Sequence, residues 1–236
     1  MSTKKRVLLK LTGEIFLDPK SCGLSTVAIK KVIAQIKQLH DRYQFCIVTG
    51  GGNFFRGDEQ GKKLGLGAWS GHQIGMLATM MNGLIIDDLL GQENIPSEIF
   101  TATVCLDVGF PINHEAVKNS LEERKTLIFV GGTGNPFFTT DTNAVLRALE
   151  IEADEIWKGT NVGGVYSTDP RIDPEATFIK DLTYQQALDK KIKVMDATAF
   201  TLASQHKLTI RVFNIWKNDA LHEVASNKDF GSTIHP

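Results

Sequence analysis

The stretch IFVGGTGNPFFTTDTNAVL, residues 128–146, joins an apolar segment to a helix-like segment through an unusual loop. Its apolar start, residues 128–130, predicts a buried strand, and the residues that follow Thr140 predict a helix. The connecting loop holds three glycines, two phenylalanines and a Thr-Thr-Asp cluster, which is more than a turn requires. Because α/β sheets bind ligands in the loops that follow their strands, the stretch predicts a ligand-binding loop.

The rest of the chain continues this alternation of strands and helices. Apolar runs predict short strands at residues 6–11, 45–49, 97–102, 126–130, 155–158 and 209–213. Helix-like segments lie at residues 24–40, from Ser70 onward, at 193–207 and at 219–225. This order predicts an α/β fold with a mainly parallel sheet sandwiched between helices. Two Asp-Pro turns predict a hairpin excursion near residues 164–181, within a single domain over residues 1–236.

Composition and charge argue against several classes of protein. A formal net charge of −1 gives no support for nucleic-acid binding, which normally leaves a basic footprint. The apolar runs are shorter than a membrane span and residues 1–11 lack a signal peptide's apolar stretch, so we expect no membrane partner. Cys22, Cys46 and Cys105 favour reduced thiols in a cytosolic protein. The histidines show no metal-binding spacing, so we expect no transition-metal site.

Two further loops that follow strands carry residues suited to anions. Lys10 falls at the end of the first strand, and it is either a snorkelling lysine or a cation directed at phosphates beside Gly13. Glycines 50–52 and Arg56 follow the second strand. Three consecutive glycines favour a nest of backbone N–H groups for an anion, with Arg56 as a further donor. Tight packing of a strand against a helix is the alternative explanation of these glycines.

Familiar nucleotide-binding patterns are absent from both glycine loops. GDEQGKK at residues 57–63 lacks the spacing and final residue of a Walker A motif, and Phe55 and Phe137 stand where a dinucleotide fingerprint needs glycine. The next segment begins with Ser70 and Gln73, a capping-box pattern that predicts a helix start. His72 in its first turn is either structural or a ligand contact. The helix's expected core-facing stripe comprises Ile74, Leu77, Ala78, Met81, Leu84 and Ile85.

Several motifs together resemble one known family. LLKLTGE, GGGNFFRG, GMLATMMNGL, GTGNPFFTTD, IEADEIWKGT, VYSTDPRIDP, KVMDATAFTLA and IRVFN occur in the order seen in bacterial uridylate (UMP) kinases, which have the amino-acid-kinase fold. The resemblance covers nearly the whole chain, and GTGNPFFTTD is its most specific marker. It implies reversible transfer of the γ-phosphoryl group of ATP to UMP, giving UDP and ADP, in pyrimidine nucleotide biosynthesis. It also implies Mg²⁺ carried with ATP, a cytoplasmic homohexamer and inhibition by UTP.

The matching motif positions imply three groups of site residues. The catalytic pair would be Lys10 and Asp196, with Asp196 orienting the lysine by charge pairing. The ATP site would comprise Lys10, Leu11, Thr12, Gly13, Gly52, Arg56, Thr160, Asn161, Tyr166 and Asp169. The UMP site would comprise Gly51, His72, Thr133, Gly134, Asn135, Pro136, Phe137, Phe138, Thr139 and Thr140. Residues 1–150 would then form an acceptor lobe and residues 151–236 an ATP lobe.

This assignment also answers why the loop at residues 131–140 is so unusual. Its glycines would let the backbone close on a flat base, the phenylalanines would supply apolar surface, and Thr133 and Asn135 would supply hydrogen-bonding groups. Two residues have simpler explanations, since Asp141 is also suited to cap the following helix and Phe137 to fill the core. No nucleophile and base stand out, so we expect direct transfer stabilised by Lys10 and the amides of residues 50–52.

The sequence departs from the family pattern at several places. His72 stands where relatives usually carry an aspartate that contacts UMP, and a histidine would bond the ribose or phosphate instead. Asn161 and Gly163 alter a Lys-Val-Asp-Gly motif, so phosphate contacts from that lysine are missing. Asp87, Gly91 and Glu98 stand where many relatives have basic residues or histidine at a GTP regulatory site. Because acidic residues repel a triphosphate, we predict weak or absent activation by GTP.

Two alternative functions are open to the same fold. One is a kinase that acts on carbamate or an acidic amino acid, although GTGNPFFTTD counts against that acceptor. The other is a sensor that binds UMP or UTP without turnover, although Lys10, Arg56 and Asp196 are all retained. A panel of acceptors separates these hypotheses.

Overall fold

The computed structural model describes residues 4–17, 23–56, 60–192 and 194–236, and Cys22 lies outside this part of the chain. The strands are β1 (Lys5–Leu11), β2 (Tyr43–Thr49), β3 (Ser97–Thr101), β4 (Phe110–Pro111), β5 (Thr126–Val130), β6 (Glu155–Thr160), β7 (Val165–Tyr166), β8 (Phe178–Ile179), β9 (Asp181–Thr183), β10 (Thr209–Asn214) and β11 (Ser232–His235). The helices are α1 (Val27–Leu39), α2 (Ala68–Gln92), α3 (His114–Glu122), α4 (Thr140–Glu150), α5 (Tyr184–Asp189), α6 (Ala197–Gln205) and α7 (Ala220–Ser226), and a 3-10 turn covers Gly13–Phe16.

The described strands other than β7 and β8 form one sheet, in the order β4-β3-β5-β2-β1-β6-β10-β11-β9. Its pairs are parallel, except that β10 and β11 run antiparallel. The predicted α/β class with a mainly parallel sheet is therefore confirmed. The predicted hairpin excursion is confirmed as well, because β7 and β8 form a separate antiparallel pair.

Successive side chains of the central strand β1 point to opposite faces of the sheet, and the core is therefore divided into two layers. Val7, Leu9 and Leu11 face one side, where they join a buried cluster with α1, α2 and α7. Leu8 faces the other side, where its cluster draws on α3, α4, α5 and α6. Fully buried strands of a parallel sheet are apolar on both faces, which explains why the sequence there is almost continuously hydrophobic. Lys10 is the exception in this strand, and its side chain lies on the α4 side.

The central position of β1 locates the functional edge of the sheet. Its neighbours are β2 on one side and β6 on the other, because the chain adds β2, β3, β4 and β5 on one side of β1 before it adds β6 and β10 on the other. Ligands of open parallel sheets bind outside the carboxyl ends of the strands where this order reverses. That point here lies beyond Leu11, Thr49 and Thr160.

Helix α2 differs from its sequence-based prediction in both its start and its buried face. It begins at Ala68 after Gly67, with no capping hydrogen bond from a side chain, so the predicted Ser70–Gln73 capping box is wrong. Leu77, Met81 and Leu84 of the predicted core stripe are exposed. The residues of α2 that are buried instead include Met76, Thr79, Met80, Asn82, Gly83, Ile86 and Leu90. In the folded protein, the face of α2 that packs inward includes two polar residues, Thr79 and Asn82.

Helix α2 also qualifies the expectation that no segment is long and apolar enough to cross a membrane. Among the described residues, Ala68–Gln92 passes a test of length and composition, with a mean hydropathy of 1.3 over its most apolar window. Half of that window is buried inside the protein, as in the core helix of a soluble protein. The helix is therefore weak support for a membrane span.

The described cysteines are free, as the sequence predicts for reduced thiols. Cys46 lies fully buried in β2 and Cys105 is partly buried in the loop after β3. Burial raises the pKa of the Cys46 thiol to about 12. That thiol is therefore a packing group, since the reactive form of cysteine is the thiolate.

Candidate active site

A buried cluster of charges lies at the carboxyl end of the central strands. Lys10 of β1 and Lys158 of β6 are paired in the parallel register, so their side chains emerge side by side on one face of the sheet. Like charges in that arrangement repel each other. Asp141, in the first turn of α4, lies between them, with Oδ1 2.8 Å from Lys10 Nζ and Oδ2 2.5 Å from Lys158 Nζ. The carboxylate thus holds two ammonium groups in one place.

The pKa shifts in this cluster show how strongly the three charges depend on one another. Burial alone would raise the pKa of Asp141, but attraction by Lys10 and Lys158 outweighs burial and lowers it well below its usual range. Burial lowers the pKa of Lys158, and repulsion by Lys10 adds to that, against the opposing attraction of Asp141 and Asp196. Lys158 also donates a hydrogen bond of 2.7 Å to the carbonyl of Val194.

The carboxylate that contacts Lys10 is Asp141, which corrects the predicted pairing of Lys10 with Asp196. Asp196 caps the N-terminus of α6, where it accepts from the backbone N–H of Ala199 at 3.0 Å. Its oxygens also accept from the hydroxyls of Thr139 at 2.5 Å and Thr142 at 3.0 Å. A cap has to lie at its own helix terminus, so Asp196 is held at the start of α6, and the carboxylate paired with Lys10 is that of Asp141. Asp196 influences the cluster through Lys158.

The capping explanation of Asp141 is wrong for a related reason. Thr139 is the N-cap of α4, and its hydroxyl accepts from the backbone N–H groups of Asp141 and Thr142. Asp141 is therefore free to direct its carboxylate toward the sheet. Thr139, which the resemblance assigned to UMP, is engaged in capping α4 and in donating to Asp196.

The sequence left two explanations for the glycines after β2, an anion-binding nest and close packing against a helix, and each applies to a different glycine. A Cβ on Gly51 would lie 2.7 Å from Ala78 Cβ and 2.8 Å from the carbonyl of Gly75, so Gly51 is required for close packing against α2. Gly52 has only the side chain of Arg56 near it, at 3.7 Å. The backbone N–H of Gly50 donates to the carbonyl of Leu11 at 3.0 Å, which removes it from the predicted anion nest. The nest is thus reduced to the amides of Gly51 and Gly52.

Two buried polar residues of α2 hold the glycine loop and the GTGNPFFTTD loop in place. Asn82 donates to the carbonyl of Gly50 at 2.7 Å and exchanges hydrogen bonds with the side chain of Asn53. Thr79 accepts from the backbone N–H of Gly131 at 2.8 Å. Sequence reasoning missed both residues, although their spacing of three in an apolar helix was a usable signal.

A cavity of about 660 Å³ opens between β6, the β7–β8 hairpin and the segment that precedes α6. Of the residues predicted for the ATP site, it is lined by Lys10, Thr12, Thr160, Asn161, Tyr166 and Asp169. Leu11 is fully buried in the core, and Gly13, Gly52 and Arg56 lie outside this lining. The cavity also has cations that sequence reasoning missed, namely Lys158, Arg171 and Lys191. Its volume is in the range of small-molecule and cofactor sites.

The loop at residues 131–140 is held in a conformation that exposes its aromatic rings. Gly134 has a φ of 76° and lies so close to the carbonyl of Ala102 that a Cβ would approach it to 2.8 Å. Phe137 also has a positive φ, 71°, which a bulky residue adopts only with strain. Phe137 and Phe138 are 66% and 46% exposed, so the alternative that Phe137 fills the core is wrong.

His72 lies against this loop from the first turns of α2. Its ring centroid is 5.0 Å from that of Phe137, at an interplanar angle of 60°. Within the loop, Thr133 and Asn135 hydrogen-bond to each other at 3.1–3.3 Å. Of the predicted acceptor residues, His72 and Phe137 are thus in ring contact, and Thr133 and Asn135 are joined by hydrogen bonds.

Comparisons with known proteins agree with this architecture. Residues 5–214 match the sequence profile of the amino acid kinase family. The chain is 42% identical to the uridylate kinase of Haemophilus influenzae, over 98% of this chain and 97% of that protein. It is 41% identical to the uridylate kinase of Parabacteroides distasonis over the full length of both.

Solved structures give the same result in three dimensions. The crystal structure of UMP kinase from Ureaplasma parvum superposes with a TM-score of 0.93 at 34% identity, over 100% of both chains. That of UMP kinase from Bacillus anthracis superposes with a TM-score of 0.92 at 29% identity, over 98% of this chain and 96% of the other. The match to the family profile and the full-length relatives show that this chain belongs to the amino acid kinase family.

Proposed function

We propose that this chain transfers the γ-phosphoryl group of ATP to UMP, giving UDP and ADP in a reversible reaction of pyrimidine nucleotide biosynthesis. The observation that carries the proposal is that Lys10 and Lys158, which line the cavity, are both paired with Asp141, the last residue of the GTGNPFFTTD stretch. Full-length relatives that carry the name uridylate kinase support the choice of acceptor.

The chemistry follows from the charges that are available. An oxygen of the UMP phosphate bonds to the γ-phosphorus in line with the breaking bond to the β–γ bridging oxygen of ATP. The attacking phosphate is already an anion, so the step needs no general base. Lys10, assisted by the amides of Gly51 and Gly52, neutralises the equatorial oxygens, which supplies most of the catalysis in such transfers. Asp141 is proposed to orient Lys10, in place of Asp196.

The donor substrate is MgATP, bound in the cavity next to β6. We propose that its phosphates lie toward Lys10 and Lys158, and that the rest of the nucleotide lies along Thr160, Tyr166 and Asp169. Arg171, at that other end of the cavity, is already paired with Asp169. Within the described residues, no group of three or more His, Cys, Asp or Glu side chains could hold a metal ion. We propose that Mg²⁺ enters together with the nucleotide.

The acceptor site is proposed on the loop at residues 132–140. UMP would lay its base against the exposed rings of Phe137 and Phe138 and bond through Thr133 and Asn135, which a wrong base would leave unpaired. His72 would contact the ribose or the phosphate from α2, in place of the usual aspartate. Residues 1–150 would then serve the acceptor and residues 151–236 the donor.

We further propose that the working enzyme is a cytoplasmic homohexamer inhibited by UTP. Exposed apolar residues on one side of α2, which are Trp69, Leu77, Met81 and Leu84, support an assembly that covers this helix. Light scattering on the purified protein checks the assembly, and turnover in the presence of UTP checks the inhibition. A monodisperse monomer, or turnover that UTP leaves unchanged, would contradict the corresponding proposal.

An acceptor panel tests the central proposal. ADP release from MgATP is measured with UMP, CMP, dCMP, carbamate and glutamate as acceptors. We expect turnover with UMP to exceed that with each of the others by at least about a hundredfold, because polar groups that a bound ligand buries without pairing them disfavour that ligand strongly. Turnover with carbamate or glutamate would favour another kinase of this fold, and UMP binding without ADP release would favour a sensor.

A further inference from the structure

Glu14 lies in the 3-10 turn that follows Gly13, and its carboxylate joins loops from both sides of β1. Oε1 accepts from Nη2 of Arg56, in the loop after β2, and Oε2 accepts from Nδ2 of Asn161, in the loop after β6. Because β1 lies between β2 and β6 in the sheet, Glu14 is the side chain that links the two neighbouring loops. A carboxylate so close to a site for polyanions is electrostatically unfavourable, so its presence requires an explanation.

The orientation of the Asn161 amide is fixed from its other end. Its Oδ1 accepts from the indole N–H of Trp216 at 2.8 Å, in the loop after β10. If the amide were rotated by half a turn, its NH₂ would face the indole N–H and its oxygen would face the carboxylate. Both contacts would be lost, so Trp216 and Glu14 together determine which way Asn161 points.

Arg56 is held over the glycine loop by the same carboxylate. Its side chain packs across Gly52, where a Cβ would lie 3.7 Å from Cγ and Nε and 3.8 Å from Cζ. The Arg56 side chain is 48% exposed and that of Glu14 is 26% exposed. An ion pair with that exposure contributes about 0–1 kcal/mol to stability. The pair is therefore more important for orienting the guanidinium than for holding the fold together.

We propose that Glu14 is a positioning residue for the phosphoryl transfer, acting by holding the Arg56 guanidinium over Gly52. The proposal rests on the proposed function and on the role at the ATP phosphates that the family resemblance implies for Arg56. Arg56 has five N–H donors, and the carboxylate uses Nη2, which directs the remaining donors of a planar group. The Trp216–Asn161 contact completes the arrangement, because it keeps the second oxygen of Glu14 occupied and so fixes the plane of the carboxylate.

A double-mutant cycle tests whether Glu14 acts through Arg56. The variants E14A, R56A and E14A/R56A are compared with the wild type by kcat and by KM for ATP and UMP. We expect E14A to lower kcat roughly ten- to a hundredfold, as misplacement of a catalytic group does, with KM for UMP nearly unchanged. We expect the double variant to be no slower than R56A alone, because residues that act as a unit are not additive.

Additional variants keep the test decisive. E14Q retains the size of the side chain but offers one acceptor oxygen for two donors, so we expect a loss of kcat between those of the wild type and E14A. E93Q is the matched control, because it removes an exposed glutamate that pairs with Lys37 far from the cavity. Circular dichroism verifies folding, and if E14A is unfolded the cycle is run with E14Q.

The possible outcomes separate this inference from the proposed function. Turnover of E14A and E14Q within twofold of the wild type, or losses that multiply in the double variant, would overturn the role of Glu14. Wild-type turnover of R56A would instead overturn the assignment of Arg56 to the phosphates. Loss of kcat in both single variants without further loss in the double variant supports the inference.

Discussion

The donor cavity and the acceptor loop lie at the same edge of the sheet, but they are built in different ways. The cavity is formed at strand ends, and its central charges, Lys10, Asp141 and Lys158, are largely buried and paired before any nucleotide arrives. The acceptor loop presents exposed rings and a strained Phe137 backbone. The comparison indicates that the donor cavity has its stabilising charges in place before the ligand binds, whereas the apolar contacts of the acceptor loop form only when the ligand binds.

The strongest test of the preorganised side is replacement of Lys10 by methionine. K10M removes the charge proposed to neutralise the transferring group, and we expect kcat to fall by about 10²- to 10³-fold or more. The fold should persist, because Asp141 keeps its contact with Lys158. Turnover and circular dichroism measure the two effects. Near-normal turnover would show that Lys10 has no catalytic role.

Replacement of Asp141 by asparagine tests the pairing itself. D141N leaves two buried ammonium groups side by side, so we expect a loss of about 3–5 kcal/mol in the free energy of unfolding, together with a lower kcat. Urea denaturation measures the first quantity. D189N is the control, because Asp189 is an exposed carboxylate hydrogen-bonded to Gln185. An unfolding free energy equal to that of the wild type would contradict the buried pairing.

The same residue predicts how stability depends on pH. The folded pKa of Asp141 is lowered below its unfolded value, which is about 3.9. Its contribution is therefore complete above that unfolded value and is lost as the pH falls through the folded value. We expect the difference in stability between wild type and D141N to shrink below about pH 4. A difference that grows on acidification would contradict this sign.

Replacement of Phe137 by glycine tests the acceptor side. F137G removes the exposed ring but suits the positive φ, so we expect the free energy of unfolding to stay within about 1 kcal/mol of wild type. KM for UMP should rise several-fold while KM for ATP is unchanged. L188A, at an exposed apolar position on α5, is the control. An unchanged KM for UMP would remove Phe137 from the acceptor site.

Replacement of Asn161 by lysine gives a smaller effect on the donor side. N161K adds a cation at the edge of the cavity, and we expect KM for ATP to fall a few-fold at low salt and less at high salt. W216F is the matched control, because it loses the same Trp216–Asn161 hydrogen bond without adding charge. Equal changes in both variants would mean that the added charge has no effect.

The smallest expected effect is that of GTP. Asp87 accepts from Ser97, and Glu98 lies 3.3 Å from Lys125, so both acidic residues are engaged in local contacts. Acidic residues at these positions repel a triphosphate, and we expect turnover to change by less than about twofold over sub-millimolar GTP. Several-fold stimulation in a steady-state assay would overturn the prediction.

The sequence predicted the positions of the strands along the chain more accurately than the contacts between side chains. The apolar run at residues 6–11 matches Lys5–Leu11, and the run at 126–130 matches Thr126–Val130. Periodicity is a local property, so these elements could be found without the fold. The partner of Lys10 could not be found that way, because it depends on the β1–β6 register and on where α4 crosses the sheet.

The buried face of helix α2 is a second feature that could not be predicted from the sequence. Its composition predicted a helix, but it is apolar on nearly all sides, so no single stripe identified the buried face. The inward face was decided by Asn82 and Thr79, which hydrogen-bond to Gly50 and Gly131 of two loops from distant parts of the chain. A buried polar group without a partner is costly in free energy. The two hydrogen bonds therefore decide which face of α2 is buried, more than the differences between its apolar residues do.

By itself, the sequence determined that the protein is an α/β chain with glycine-rich loops after its strands, because strand and turn preferences act over a few residues. Only the tertiary structure decided that Asp141 pairs with both Lys10 and Lys158. It also decided that Asp196 caps α6 and that the backbone N–H of Gly50 donates to the carbonyl of Leu11. Charge pairing and hydrogen bonding act over a few ångströms, and the groups concerned are brought within that range only when the sheet has formed.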